Sequence, residues 1–175
     1  MTDKIRWSQD SSYNARWNNR TTILYRMLPD YIKTILEFGA GMCFTAGLVK
    51  ANQTYTPSDL VNRDEYSRGG KTIVMDLNND PWNIEGPYDA VMLSGLIEYV
   101  EDLPAFITNL SKITKVVVCS YANTTSEVQN EKHGWVNSHT QMELRHLFSD
   151  AGYDIVQRER WNGQMLYLFQ SGYAH

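Results

Sequence analysis

The sequence predicts a doubly wound α/β fold, a mostly parallel sheet with helices on both faces and an antiparallel pair of strands at its end. Three observations carry that expectation. Short apolar runs rich in β-branched residues alternate with stretches of helical periodicity, the pattern of strand–helix–strand units. The first such run stops at Gly39-Ala40-Gly41, as a buried strand does on entering a tight turn. The last two runs are separated only by Trp161-Asn162-Gly163, which suits a hairpin and is too short for a crossover.

Each element has its own signal. Residues 1–20 scatter Trp7, Tyr13 and Trp17 among polar side chains and read as an arm or lid, with the compact domain running over 21–175. From Thr21, Ile23, Leu24, Met27 and Leu28 recur at helical spacing until Pro29 ends the run. Lys33 to Phe38 is the first strand, and residues 42–51, with Phe44, Leu48 and Val49, form a short helix. Thr54 to Leu60, Lys71 to Leu77 and Tyr88 to Leu93 are the next three strands. Asp102 opens a helix whose Leu103, Phe106, Ile107, Leu110 and Ile113 share one face. Lys115 to Ser120, with three consecutive valines, is the fifth strand, followed by a long polar loop of the kind that usually serves a function. Thr140-x-x-Glu143 is a capping box opening another helix, which Gly152 closes. Asp154 to Arg160 and Gly163 to Gln170 are the final strands.

Composition narrows the class. The chain has 175 residues, 42% hydrophobic and 21% charged, enough to bury a core without disulfides or metals. A net charge of −4 lacks the basic surface that nucleic acid demands, so no nucleic-acid partner is expected. Cys43 and Cys119 lie in apolar surroundings without metal-ligand spacing, the usage of reduced thiols in the cytoplasm. Residues 1–20 hold no apolar signal region, and no stretch reaches the ~18 apolar residues of a membrane span, so neither secretion nor a membrane is expected.

Open α/β sheets bind ligands beyond the carboxyl ends of their strands. In Glu37-x-Gly39-Ala40-Gly41, the glycines let bare backbone approach a ligand where a Cβ would collide. Asp59 ends the second strand 20 residues after Gly39, where a carboxylate can accept both hydroxyls of a ribose. The ligand could be a dinucleotide or S-adenosyl-L-methionine. Two residues oppose the dinucleotide: Phe44 stands where its fingerprint wants a small residue, and Glu37 would face an anionic pyrophosphate. An acid at that place suits a ligand carrying an ammonium group.

Glu37-x-Gly39-x-Gly41-x-Cys43 resembles the first motif of class I S-adenosylmethionine-dependent methyltransferases, with Cys43 where the family usually has a third glycine. The resemblance runs from about Thr21 to Phe169 and implies a Rossmann-like, seven-stranded sheet whose last strand is reversed. It also implies roles. Asp59, with Leu60 beside it, would hold the ribose, and Asp76 and Leu77 the adenine. Ser94 and Gly95 would face the methionine part, and the arm, with Trp17 and Arg20, would close over the cofactor so that Arg20 meets its carboxylate. Tyr99 stands where many relatives have a histidine.

The motif specifies no acceptor; the expected reaction moves a methyl group to a small-molecule or glycan acceptor, at oxygen. A hydroxyl acceptor is helped by a general base, and the segment His133-Gly-Trp135-Val-Asn137-Ser-His139 offers His139 and His133. Tyr121, Trp135 and Asn137, with Trp161, are candidates to line the acceptor pocket; His146 and His175 read as structural or solvent-facing. No insertion is long enough for a separate recognition domain. The acceptor walls must therefore come from the arm, the loop at 121–139, or a second copy of the chain in a homodimer. Two other readings stand beside this one, a nicotinamide-dependent oxidoreductase and a non-catalytic module that keeps the fold for binding.

Overall fold

The computed structural model describes Trp7 and residues 14–122 and 133–172; Tyr13, His175 and the stretch 123–132 lie outside the described residues. Seven strands form one sheet: β1 (Thr34–Phe38), β2 (Thr54–Asp59), β3 (Ile73–Val74), β4 (Ala90–Leu93), β5 (Val116–Ala122), β6 (Tyr153–Trp161) and β7 (Gln164–Ser171). Their order is β3-β2-β1-β4-β5-β7-β6. Neighbours from β3 through β5 pair in parallel, and β7 is antiparallel to both β5 and β6. The expected mostly parallel sheet with a reversed last strand is what forms. Winding outward from β1 to β3 and then resuming at β4 puts the switch point between β1 and β4.

Every residue of β4 and β5 is buried, as expected of central strands covered on both faces. Alternation divides the core in two. Leu36, Phe38, Val91, Leu93, Val117 and Cys119 face one layer, and Ile35, Met92, Val116 and Val118 the other. Helix α1 (Trp17–Met27) packs on the second layer through Leu24 and Met27. Helices α2 (Leu103–Ile113) and α3 (Gln141–Asp150) cover the first through residues such as Ile107, Leu110, Leu144 and Phe148. Asp102 caps α2 by accepting from the Ala105 N–H, and both bonds of the Thr140–Glu143 capping box are present. Among the described residues no helix is long and apolar enough to cross a membrane.

The structure departs from the sequence reading at three places. Helix α1 begins at Trp17, inside the span assigned to the arm, so Trp17 and Arg20 are helical. Arg20 and Thr21 share the buried face of Leu24, and their polarity hid that face from an apolar-periodicity count. The segment after β1 makes only a 3₁₀ turn at Phe44–Gly47, and no α-helix joins β2 to β3 or β3 to β4. Strand β3 is two residues long rather than seven. Beyond it, the Asp76 side chain accepts from the backbone N–H of Asn78, a local bond that competes with the ladder.

Candidate active site

A cavity of about 1040 Å³ lies at the carboxyl ends of β1 to β5, walled also by α1, Trp7, the segment around His133–Trp135 and the β6–β7 turn. The turn after β1 forms part of its wall. Gly39 and Gly41 have φ of +67° and +53°, where a side chain is strained. A Cβ on Gly39 would also lie 3.0 Å from Leu96 Cδ1. Nothing comes within 4 Å of the place a Gly41 Cβ would take. The turn is stapled to β2, since the Gly41 N–H donates to Asp59 Oδ2 at 2.7 Å and the Ala40 N–H to the Ser58 carbonyl at 3.1 Å.

Asp59 therefore shapes the loop as well as facing the cavity with Leu60. Its other oxygen stands 3.7 Å from Arg63 Nη2, both side chains being buried. Burial pushes the Asp59 carboxyl up, while the Gly41 N–H and Arg63 pull it back. Arg63 also donates to the Trp7 carbonyl, tying Trp7 to the end of β2. Sequence reading missed Arg63 because an arginine in a polar loop carries no signal of its own.

Glu37 lies on the cavity floor and accepts from Tyr55 Oη at 2.6 Å. Burial pushes its carboxyl up to about 7, with the Tyr55 bond pulling the other way. Cys43, in place of the family's third glycine, adopts φ +49°, and burial drives its thiol to about 12, which makes it inert. At the far end, Asp76 and Leu77 line the cavity. Both Asp76 oxygens are engaged by its own turn, from the Asn78 N–H at 3.0 Å and Asn79 Nδ2 at 2.9 Å.

Arg20 is 6% exposed and reaches across to the end of β4. Its Nε donates to Ser94 Oγ, Nη2 to the Ser94 carbonyl and Nη1 to Gln164 Oε1, each at 3.1 Å. Its guanidinium carbon sits 5.8 Å from the Trp17 ring and 5.6 Å from the Trp161 ring. Among the described residues no carboxylate lies within 4 Å of it. Burial lowers its pKa, and the more distant Glu98, Tyr99 and Glu37 oppose that shift.

The segment after β5 divides. His133 and Trp135 line the cavity, their rings stacked 4.6 Å apart. Tyr121, Asn137 and His139, expected at the acceptor, do not line it. Tyr121 is fully buried because β5 runs on to Ala122, which sets Tyr121 on the core face with Val117 and Cys119. Its hydroxyl donates to Asn137 Oδ1 at 2.8 Å and accepts from the His139 N–H at 2.6 Å. Asn137 Nδ2 donates to the carbonyls of Ile97 at 2.7 Å and Val100 at 2.8 Å. These three residues latch the returning chain to the β4–α2 connection. His139 supplies a backbone N–H there and no base to the cavity.

Sequence reading also missed Glu98. This carboxylate lines the cavity, is 1% exposed, and accepts from the Ala122 N–H at 2.8 Å. Among the described residues no cluster of three or more His, Cys, Asp or Glu side chains could hold a metal.

A sheet of this order, with a glycine turn at the β1–β4 switch and acids on the neighbouring strand ends, is the architecture of class I methyltransferases. Residues 15–158 match the family model described as a methyltransferase domain, and the chain belongs to that family. Solved structures share the fold. The magnesium protoporphyrin IX methyltransferase of Synechocystis, with S-adenosylhomocysteine bound, is 19% identical over 90% of this chain and 83% of its own, at a TM-score of 0.65. The 1,6-didemethyltoxoflavin-N1-methyltransferase of Burkholderia thailandensis is 15% identical over 96% and 87%, at a TM-score of 0.71. An O-methyltransferase of neocarzinostatin biosynthesis, in complex with S-adenosylmethionine and a naphthoic acid, is 13% identical over 97% and 58%, at a TM-score of 0.69. No curated protein sequence matches the chain.

Proposed function

We propose that the cavity binds S-adenosylmethionine across the β1–β4 switch and that the protein methylates a small-molecule acceptor at oxygen. One observation carries the reading of the cavity. Two buried groups of opposite sign, Glu37 and Arg20, line it without pairing with each other. Unpaired buried charges are costly, and together they complement a ligand end that has both an ammonium and a carboxylate. Arg20, with N–H groups beyond those bonded to Ser94 and Gln164, suits the carboxylate, and Glu37 the ammonium, directly or through water.

When bound, the cofactor supplies an electrophilic methyl group on a sulfonium sulfur. The protein's own work is to bind, align and keep dry. Gly39–Gly41 offers bare backbone, Asp59 an oxygen for the ribose, and Leu77 an apolar surface for the adenine with Asp76 at its edge. The small-molecule reading draws support from the toxoflavin and naphthoic acid ligands of fold neighbours, and the oxygen reading from the neighbours that are O-methyltransferases. The buried thiols Cys43 and Cys119 suit a cytoplasmic setting.

Titration calorimetry tests the reading. S-adenosylhomocysteine is expected to bind at one site, NADH not to bind, and Arg20→Ala to cost about 2 kcal/mol of affinity. Preferential binding of NADH would overturn it in favour of an oxidoreductase.

A further inference from the structure

On the methyltransferase reading, we propose that Glu98 takes the proton of a phenolic hydroxyl on a flat aromatic acceptor, seated where Ala122, Trp135 and Trp161 line the cavity. Glu98 belongs to the 3₁₀ turn Ile97–Tyr99 just past β4, and its carboxylate is pinned to the end of β5 by the Ala122 N–H. The strand ends of β1, β2 and β3 carry the groups suited to a nucleoside. Beyond Ser94 and Gly95, the turn past β4 and the end of β5 remain for a second ligand.

The state of the carboxylate points to a missing donor. Oε1 holds the Ala122 N–H, while Oε2 is sealed from bulk water and has no hydrogen-bond partner among the described residues. An oxygen in that state is costly until a donor reaches it. Glu37 and Asp59, the cavity's other buried carboxylates, have no oxygen left both sealed and unpartnered among the described residues. His139 is outside the cavity; of the proton acceptors that line it, His133 stacks on Trp135, whereas Glu98 is the one pinned by a backbone N–H between β4 and β5. Burial raises its pKa, while its own backbone N–H, the Ala122 N–H and, least, Arg20 of α1 oppose that rise; Cys119 and Tyr121 of β5 feel its charge in turn. A carboxylate raised in this way is a better base near neutrality than an exposed one.

The walls favour a flat ring. Trp135 and Trp161 both line the cavity, and indole faces suit a flat aromatic ring. In the step, the acceptor oxygen forms a bond to the methyl carbon as the carbon–sulfur bond breaks. The electron pair of that bond stays on sulfur, and the hydroxyl proton passes to Glu98 Oε2 and later to water.

The probe is 4-nitrocatechol, added to protein saturated with S-adenosylhomocysteine and followed by calorimetry and by its visible spectrum. Wild type is expected to bind it with a shift toward the phenolate spectrum. Glu98→Gln keeps an oxygen for the Ala122 N–H but cannot take a proton. It should lose the spectral shift and at least tenfold in probe affinity, while remaining folded and keeping its cofactor-product affinity. With S-adenosylmethionine present, methylation of the probe should fall by about 10²–10⁴-fold. Trp135→Ala, which leaves Glu98 in place, should also cost about tenfold in probe affinity. The inference is overturned if wild type binds S-adenosylhomocysteine but not 4-nitrocatechol, if it prefers methyl glucoside, or if Glu98→Gln behaves as wild type; an unaffected Trp135→Ala would remove the flat-ring seat. Failure to bind S-adenosylhomocysteine at all would instead remove the function reading beneath it.

Discussion

The guanidinium of Arg20 lies so close against Gly95 that a Cβ there would fall 2.4 Å from Nη2. Gly95 also sits at φ +69°, and its N–H accepts no rearrangement freely because it donates to Ser120 Oγ at 2.8 Å. The glycine expected from sequence to touch the cofactor thus makes room for the arginine that would.

Gly95→Ala is therefore a test of Arg20 at one remove. The arginine is long enough to swing away, so the fold should survive with a loss of about 1–2 kcal/mol from the left-handed backbone. Swinging away breaks its bonds to Ser94 and Gln164. S-adenosylhomocysteine affinity should drop at least tenfold, and calorimetry beside a thermal melt separates the two effects. An unchanged affinity would show that Arg20 need not stand at Ser94 to serve the ligand.

Asp59→Ala removes a carboxylate that holds the Gly41 N–H and faces a buried cation. Two losses follow. Cofactor-product affinity should fall by about 1–3 kcal/mol, and the fold should lose a similar amount because Arg63 is left buried without its counter-charge. Calorimetry and denaturant unfolding measure these losses, and a variant that keeps full stability would sever the link between Arg63 and the loop.

Much of this was legible in the sequence because it rests on local rules. The glycines after β1, the acid closing β2, the capping box and the Asn162-Gly163 turn are each set by backbone sterics within a few residues, and all stand where expected. What was not legible depends on partners distant in the chain. Arg20 meets Ser94 and Gln164 across 74 and 144 positions. Glu98 meets Ala122 across 24, and no periodicity marks either residue. Tyr121 was misjudged for a related reason. Whether a strand-end side chain faces a cavity or the core depends on where the strand stops, and two residues more in β5 decide it.

Glu37 makes stability and binding respond to pH in opposite directions. Its carboxyl is raised from 4.5 to about 7, so between those values the folded chain holds a proton that the unfolded chain has released. Stability is then lost as the pH rises through that window, by about 3 kcal/mol from this group; Asp59 and Glu98, also raised, act with the same sign. A ligand ammonium needs the ionised form, so S-adenosylmethionine affinity should climb between about pH 6 and pH 8. Glu37→Gln retains an acceptor for Tyr55 and should flatten both curves. Melting temperature and calorimetry across pH check this, and a Gln variant with the wild-type slopes would move the titration elsewhere.

The latch and the base can be separated by two substitutions a short distance apart. Tyr121→Phe deletes one hydroxyl and leaves both Asn137 Oδ1 and the His139 N–H without their partner inside the protein. Leaving such groups unpaired costs about 1–3 kcal/mol, and the cost should fall on the segment around Asn137 that the hydroxyl ties to β5. Hydrogen exchange should therefore quicken at His139 and Leu144 more than in the β4–β5 core. His139→Ala, by contrast, keeps the backbone N–H that does the holding and removes a ring that does not reach the cavity. It should leave stability within about 0.5 kcal/mol of wild type, as surface changes usually do. Turnover should also stay near the wild-type rate. A large loss of turnover in His139→Ala with intact exchange protection would restore the imidazole to the chemistry and displace Glu98 as the base.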